Sequence, residues 1–185
     1  MLAQMASLLV DVVASFFVYA LLARFHFQWL RAPFRNPAGE FIVVVSNWMV
    51  VPARRVIPAL AGLDLASLLL AFLVQGAALW ALALIVGAQP EPGRLAALTA
   101  LFLVRYSLHI LVFAIIVQAV LSWTNPHNPF MHVFNALTRP FLAPIRRFLP
   151  AVGGIDLSPL VLLVLLQLLF IPLDHLQAAV REIPF

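Results

Sequence analysis

The chain has 185 residues, of which 64% are hydrophobic and only 10% are charged, and its mean hydropathy is +1.07. Soluble domains carry roughly 25% charged residues, so this composition indicates an integral membrane protein and argues against a soluble enzyme. The absence of cysteine excludes disulfides and thiolate-bound metals within the chain. All 11 basic residues are arginines and oppose seven acidic residues, which gives a net charge of +4.

Four apolar segments predict an all-α fold with four transmembrane helices. They lie at roughly residues 1–23, 64–88, 95–122 and 157–175. Each is close to the ~20 residues that cross a ~30 Å hydrocarbon core. The first segment lacks a basic region before it and is followed by Arg24, so we expect a retained helix and not a cleaved signal peptide.

Two further segments, 37–60 and 129–152, are apolar in part but too short and too polar to span the membrane. We expect each to form an interfacial or re-entrant amphipathic helix on the cytoplasmic side, and the sequence leaves open whether it lies flat or dips inward. Asn-Pro turns precede both segments, at Asn36, Pro37, Asn128 and Pro129. Eight of the 11 arginines lie in the two connections that contain these segments. The positive-inside rule then predicts a multi-pass protein of a bacterial inner membrane with cytoplasmic connections and both termini outside.

A shift of 92 positions aligns the sequence with itself. The pattern P-x-R-R-x-x-P-A-x-x-G-x-D-L occurs at residues 52–65 and again at 144–157. We therefore predict a tandem duplication, with one unit at 1–92 and the other at 93–185. Because each unit contains two spans, the two units are expected to be parallel and related by an axis along the membrane normal.

The residues of this pattern predict a helix start and a basic surface. Gly62 and Gly154 allow a sharp turn, after which Asp64 and Asp156 can cap the next helix. The paired arginines are Arg54, Arg55, Arg146 and Arg147. They are either topology anchors that form local ion pairs with the two aspartates, or a binding site for lipid phosphates or an acidic protein partner.

Ionisable residues inside the predicted spans form a second candidate site. Asp11 and Arg105 fall in the first and third spans, and His109 lies one helical turn beyond Arg105. The 92-residue shift places Arg105 at nearly the depth of Asp11, so we expect the two to pair. This cluster is a structural interhelical contact, an ion or proton path, or a case of Arg105 snorkelling to the interface.

No catalytic motif, phosphate-binding glycine loop or convergent set of metal ligands occurs in the sequence. The arginines also lack the interleaved aromatic residues of a nucleic-acid surface. We therefore expect no enzyme activity, no metal, no cofactor and no nucleic-acid partner. Membrane lipids, a cytoplasmic or membrane protein, and a second copy of the chain are the expected partners.

Several motifs follow one another along the chain: LLARFHFQW at 21–29, Asn-Pro at 36–37, PARRVIP at 52–58, LSW at 121–123 and RPFLAPIRRFLPAVGGIDLSP at 139–159. Together they resemble the YggT family of bacterial integral membrane proteins, over nearly the whole chain. The first unit departs from the family pattern at Ala61, Ala66 and Ser67.

The resemblance implies a role in osmotic-stress tolerance, potassium homeostasis or cell division, and plastid and cyanobacterial relatives are associated with haem attachment and thylakoid or nucleoid organisation. It supplies no catalytic residues. Our leading hypothesis is a non-enzymatic membrane scaffold or assembly factor. The alternative is a component of potassium or proton flux, and a weaker third is a helper in cofactor maturation.

Overall fold

The computed structural model describes residues 1–57, 62–89, 91–125, 128, 130–149 and 156–182. Within them the chain forms six α-helices and no β-strand. In chain order the helices are α1 (Leu2–Trp29), α2 (Pro37–Ala53), α3 (Leu65–Ile85), α4 (Pro92–Thr124), α5 (Met131–Phe148) and α6 (Ser158–Glu182). Four of them, α1, α3, α4 and α6, are long and apolar enough to cross a membrane. The prediction of an all-α protein with four spans is confirmed.

Two of these helices continue beyond the charged residues at which the sequence places the span ends. Helix α1 runs through Arg24 to Trp29, and α6 runs through Asp174 to Glu182. A charge does not end either helix, because Arg24 and Asp174 both have partners on neighbouring helices. Helix α4, with 33 residues, is roughly 50 Å long at 1.5 Å per residue and exceeds the membrane core.

Helices α2 and α5 occupy the two predicted amphipathic segments. Asn36 caps α2 by accepting a hydrogen bond from the Gly39 amide at 3.0 Å, and Pro37 is the first helical residue, where its missing N–H costs nothing. Helix α2 ends at Ala53 and α5 at Phe148. Residues 54–57 and 149 of the predicted segments follow these helices as turn or bend, and residues 58–60, 129 and 150–152 lie outside the described residues.

The six helices pack into one bundle. Helix α1 packs mainly on α3, and α4 mainly on α6, while α1 also contacts α4 and so joins the two sides of the bundle. Around Leu21 and Val50, side chains of α1, α2, α3 and α4 form one apolar cluster. A second cluster around Ile115 and Leu142 joins α4, α5 and α6. The order long, short, long occurs twice along the chain, as a duplication would produce, and the duplication itself stays a prediction.

Candidate functional site

The first site lies where α2 ends and α3 begins. Gly62 has a φ of +80°, a left-handed conformation that glycine adopts without steric cost, and it precedes Asp64 by two residues. Asp64 caps α3: its carboxylate accepts hydrogen bonds from the amide of Ser67 at 3.3 Å and from the Ser67 hydroxyl at 2.6 Å. The aspartate is 1% exposed, so these contacts are formed out of water.

Two guanidinium groups meet this buried carboxylate. Arg54 contacts both oxygens of Asp64, from Nη2 at 2.5 Å and from Nε at 3.3 Å. From the other side, Nε of Arg24 on α1 lies 3.4 Å from Oδ2 of the same carboxylate. The carboxylate therefore links α1 to the end of α2 and the start of α3.

Arg24 is the most deeply placed member of this network, with only 6% of its surface exposed. Its Nη1 donates to the Ser46 hydroxyl and to Oδ1 of Asn47, each at 2.8 Å. A buried charge is costly unless it is paired and hydrogen-bonded, and both conditions hold here. Gln28 closes the network by accepting from Arg54 at 3.2 Å and donating to the Gly62 carbonyl at 3.1 Å.

The network keeps Asp64 ionised. Burial raises the pKa of the Asp64 carboxyl, but the hydrogen bonds from Arg54 and Ser67 and the charge of Arg54 outweigh this effect. The pKa of Asp64 therefore lies below its usual range.

The second site joins the end of α5 to the start of α6. Arg146 donates from Nε to Oδ2 of Asp156 at 2.9 Å, and its Nη2 lies 2.8 Å from the same oxygen. The amide of Ser158 donates to Oδ1 at 3.0 Å. The side chains of Arg146 and Asp156 are 42% and 31% exposed. Burial raises the pKa of Asp156, and hydrogen bonds from Ser158 and Arg146 lower it further than burial raises it, so the pKa again lies below its usual range.

Arg54 and Arg146 thus have the local ion pairs that the sequence offers as one interpretation of the paired arginines. Arg55 and Arg147 are exposed too, but they differ in having no polar partner among the residues that the structure describes. Each is followed by a large apolar side chain in water-accessible position: Val56 is 82% exposed and Phe148 is 88% exposed.

Polar side chains on α4 and α5 form a further contact near the second site. The Gln118 amide donates to Oδ1 of Asn135 at 2.7 Å and accepts from the Thr138 hydroxyl at 2.5 Å. Thr138 lies 92 residues after Ser46. The Ser46 hydroxyl donates to the carbonyl four residues earlier, and the single proton of the Thr138 hydroxyl is shared between Gln118 and the carbonyl four residues earlier. The hydroxyl of Thr138 therefore contacts the neutral amide of Gln118, whereas the hydroxyl of Ser46 contacts the guanidinium of Arg24.

The predicted intramembrane cluster is arranged differently from the expectation. Arg105 donates from Nη1 to Asp174 at 2.5 Å and to Oε1 of Gln177 at 2.8 Å, both on α6, and it does not contact the exposed Asp11. Nδ1 of His109 lies 2.9 Å from the hydroxyl of Tyr19. The expected Asp11–Arg105 pair is therefore absent from the described residues, while Arg105 and His109 both lie against the ring of Phe170.

The other predicted residues are turn residues. Asn128 accepts a hydrogen bond from the amide of Phe130 at 2.9 Å just before α5. Pro129 and Gly154 lie outside the described residues. The part of the chain that the structure describes holds no group of three histidine or acidic side chains that could bind a metal ion.

Sequence reasoning missed the interhelical roles of several residues, among them Tyr19, Arg24, Gln28, Ser46, Asn47, Gln118, Asp174 and Gln177. One signal was available: Ser46 and Thr138 are hydroxyls in apolar segments exactly one 92-residue shift apart. Arg24 and Asp174 lie near the ends of predicted spans, where charged residues are common as topology signals. Their positions in the sequence therefore do not indicate that they contact other helices.

Comparison with known proteins places these features in a family. A family model described as CCB3/YggT matches residues 3–85 and 97–177. The chain belongs to the CCB3/YggT family. It is similar to the uncharacterized protein PA0392 of Pseudomonas aeruginosa, with 34% identity over 95% of this chain and 91% of that protein. It is also similar to the YggT protein of Escherichia coli strain K12, with 35% identity over 87% of this chain and 85% of the relative. No solved structure matches the chain.

Proposed function

We propose that this protein is a non-enzymatic scaffold or assembly factor of a bacterial inner membrane, anchored at its cytoplasmic face by Arg55 and Arg147. The observation that carries the proposal is the division within each arginine pair. All four arginines are exposed, but Arg54 and Arg146 are bound to aspartates of the chain, whereas Arg55 and Arg147 have no ion pair among the described residues. The first arginine holds the segment to the start of a span, and the second is available to a ligand.

The surroundings of the exposed arginines favour lipid as that ligand. The apolar side chains of Val56 and Phe148, which follow Arg55 and Arg147 in the sequence, are almost fully exposed. A guanidinium binds phosphate well, and an adjacent apolar side chain enters the acyl region beneath the headgroups. Clusters of arginine at the cytoplasmic surface are attracted to anionic lipids by about 1 kcal/mol per residue.

Two parallel units give this anchor its geometry. Membership in the CCB3/YggT family, with matches to both halves of the chain, supports a duplicated unit that presents the same element twice. Division, osmotic adaptation and envelope assembly are the processes in which such a scaffold would act, with a protein partner or a second copy of the chain bound alongside the lipid.

Complementation of a deletion strain tests the proposal. Growth after osmotic upshift is compared for wild type, for Arg55→Gln with Arg147→Gln, and for a control that carries Arg35→Gln with Arg139→Gln. We expect the first double variant to insert at normal abundance and fail to restore growth, while the control restores it. Full restoration by the Arg55→Gln, Arg147→Gln variant would reject the proposal.

A role in potassium or proton flux is the second candidate, because the Arg105–Asp174 and Tyr19–His109 pairs place polar groups on the membrane-spanning helices. The variant Arg105→Gln with Asp174→Asn separates the two functions. Flux through reconstituted vesicles that exceeds empty vesicles and is abolished in this variant would favour transport over the scaffold. Flux equal to that of empty vesicles would count against transport.

A further inference from the structure

Helix α6 has an uncovered side. Helix α3, which precedes it by one 92-residue shift, packs on two other spanning helices, α1 and α4. Helix α6 packs mainly on one spanning helix, α4, and on the short helix α5. The part of the chain that the structure describes therefore covers less of α6 than of α3.

A narrow stripe of exposed side chains runs along the uncovered side of α6. Its members are Leu160, Val164, Gln167 and Ile171, which are separated by four, three and four residues. At 3.6 residues per turn, these four side chains lie within about 60° of one another around the helix axis. Alternating steps of four and three form the heptad pattern of coiled coils, and spanning helices commonly cross at the same small angle.

Gln167 places an amide in the middle of this stripe, at the centre of the membrane. It lies nine residues after Ser158, the first residue of α6, which is about 14 Å along a helix, and the hydrocarbon core is ~30 Å thick. The exposed amide has no hydrogen-bond partner among the described residues. An unpaired polar group in hydrocarbon is costly. The stripe therefore requires an occupant that pairs with the amide.

The equivalent stripe on α3 is already covered. Gln75 lies 92 residues before Gln167 and is 3% exposed. Leu68 and Phe72, which correspond to the first two residues of the stripe, pack against the apolar cluster that joins α1, α2, α3 and α4. The same set of positions is thus in contact with neighbouring helices in the first half of the chain and exposed in the second.

We propose that this stripe on α6 is the seam of a parallel homodimer, in which α6 of one copy packs on α6 of another. Two copies inserted with the same topology have parallel α6 helices, and a two-fold axis along the membrane normal brings each stripe residue against its own copy. An amide carries both a donor and an acceptor, so the two copies of Gln167 pair with each other.

The apolar residues of the stripe also favour two strands. In the heptad pattern Val164 and Ile171 occupy the a positions, and Leu160 and Gln167 occupy the d positions. β-branched residues at a with leucine at d are the combination that favours parallel dimers over larger bundles, and a single polar residue in the seam fixes the register.

The next residue along the stripe, Asp174, does not oppose this packing. Its carboxylate is paired with Arg105 of the same chain. Asp174 follows Ser158 by 16 residues, about 24 Å along the helix, and so lies beyond the central part of the seam. The two-fold axis therefore brings together two neutral ion pairs and not two unpaired carboxylates.

Disulfide trapping tests the dimer directly, because the chain has no cysteine of its own. Ile171→Cys and Leu169→Cys are expressed separately in a deletion strain, oxidised in the native membrane and separated by mass. Leu169 is 52% exposed but points about 160° away from Ile171 around the helix. We expect Ile171→Cys to give a product of twice the 20.4 kDa chain mass, and Leu169→Cys to give little.

Two further variants, made together with Ile171→Cys, test the role of the amide. Gln167→Leu breaks no hydrogen bond within the described chain, so we expect an unchanged melting temperature and roughly threefold less trapped dimer or lower, as the loss of an interhelical hydrogen bond produces. Gln167→Asn keeps an amide and should restore trapping in part.

Three results would overturn the proposal: equal trapping of Ile171→Cys and Leu169→Cys, trapping that Gln167→Leu leaves unchanged, or a trapped product whose mass shows a different protein on the seam. The seam contains neither Arg55 nor Arg147. Trapping of Ile171→Cys should therefore be unaffected by Arg55→Gln with Arg147→Gln, so the dimer and the lipid anchor can fail separately.

Discussion

The two Arg–Asp sites contain the same ion pair in different surroundings. In the first, Asp64 is 1% exposed and is shared by Arg54 and Arg24. In the second, Asp156 is 31% exposed and is paired, among the described residues, with Arg146 alone. The position 92 residues after Arg24 is Ile116. The first site is therefore a buried network across three helices, and the second is a half-exposed clasp between two.

This difference shows that one sequence pattern can have two energetic roles. Breaking a buried ion pair leaves a charge without compensation, whereas exposed pairs are screened by water and salt. The spacing of ten residues between arginine and aspartate is the same in both units. Burial, which the pattern does not encode, decides how much the pair stabilises the fold.

Removing the buried carboxylate should have the largest effect. Asp64→Asn leaves Arg54 and buried Arg24 without a negative partner, and we expect a loss of about 3–5 kcal/mol, the usual cost of breaking a buried pair. Thermal unfolding in detergent, followed by tryptophan fluorescence, measures it. A fall in melting temperature no larger than that of Asp156→Asn would contradict the ranking.

Removing the extra cation should cost less. Arg24→Gln removes the hydrogen bonds to Ser46 and Asn47 but keeps Arg54 on Asp64 and leaves no charge unpaired. We therefore expect a total loss of about 1.5–3 kcal/mol, the usual contribution of a hydrogen bond to a charged group. The control is Arg35→Gln, which removes an exposed arginine from the connection between α1 and α2. Equal melting temperatures for the two variants would show that the buried guanidinium contributes nothing to stability.

The exposed clasp should matter still less. Asp156→Asn removes a pair whose members are both about one third exposed or more, and such pairs contribute about 0–1 kcal/mol. We expect Asp156→Asn to lower the melting temperature slightly. The difference from wild type should become smaller still in roughly 0.5 M salt, which screens the ion pair in the wild type. A loss as large as that of Asp64→Asn would mean that the second site is as tightly coupled to the fold as the first.

Acid should reduce the difference in stability between wild type and Asp64→Asn. The folded pKa of Asp64 is lower than the ordinary value of about 3.9, so its stabilisation is present above that value and is lost as the pH falls through the folded pKa. The gap in melting temperature between wild type and Asp64→Asn should narrow below about pH 4. A gap that stays constant from pH 7 to pH 3 would contradict this linkage.

Local features of the fold could be predicted from the sequence, and contacts between distant helices could not. The spans follow from apolar runs, and Asp64 and Asp156 are recognisable as helix starts from the glycine two residues earlier. The ion pair of each aspartate with the first arginine is among the predicted interpretations because both residues lie on one short connection.

Contacts across the bundle depend on how each helix rotates and packs. Arg105 lies near the depth expected for Asp11, yet its partner is Asp174, because α4 packs on α6 along that face. Arg24 looks like a topology signal at the end of a span, and its burial follows from the start of α3 lying beside it. The sequence does not distinguish the two arginines of each pair. Only the ion pairs in the structure show that Arg54 and Arg146 are bound to aspartates and that Arg55 and Arg147 are not, among the described residues.

The division of roles within the arginine pairs is the central claim, and retention of anionic lipid tests it most directly. Native mass spectra in phosphatidylglycerol and melting temperatures are recorded for Arg54→Gln with Arg146→Gln and for Arg55→Gln with Arg147→Gln. The account predicts that the first variant melts at lower temperature, while the second keeps the wild-type melting temperature and loses lipid severalfold. Wild-type lipid retention by the Arg55→Gln, Arg147→Gln variant would contradict it.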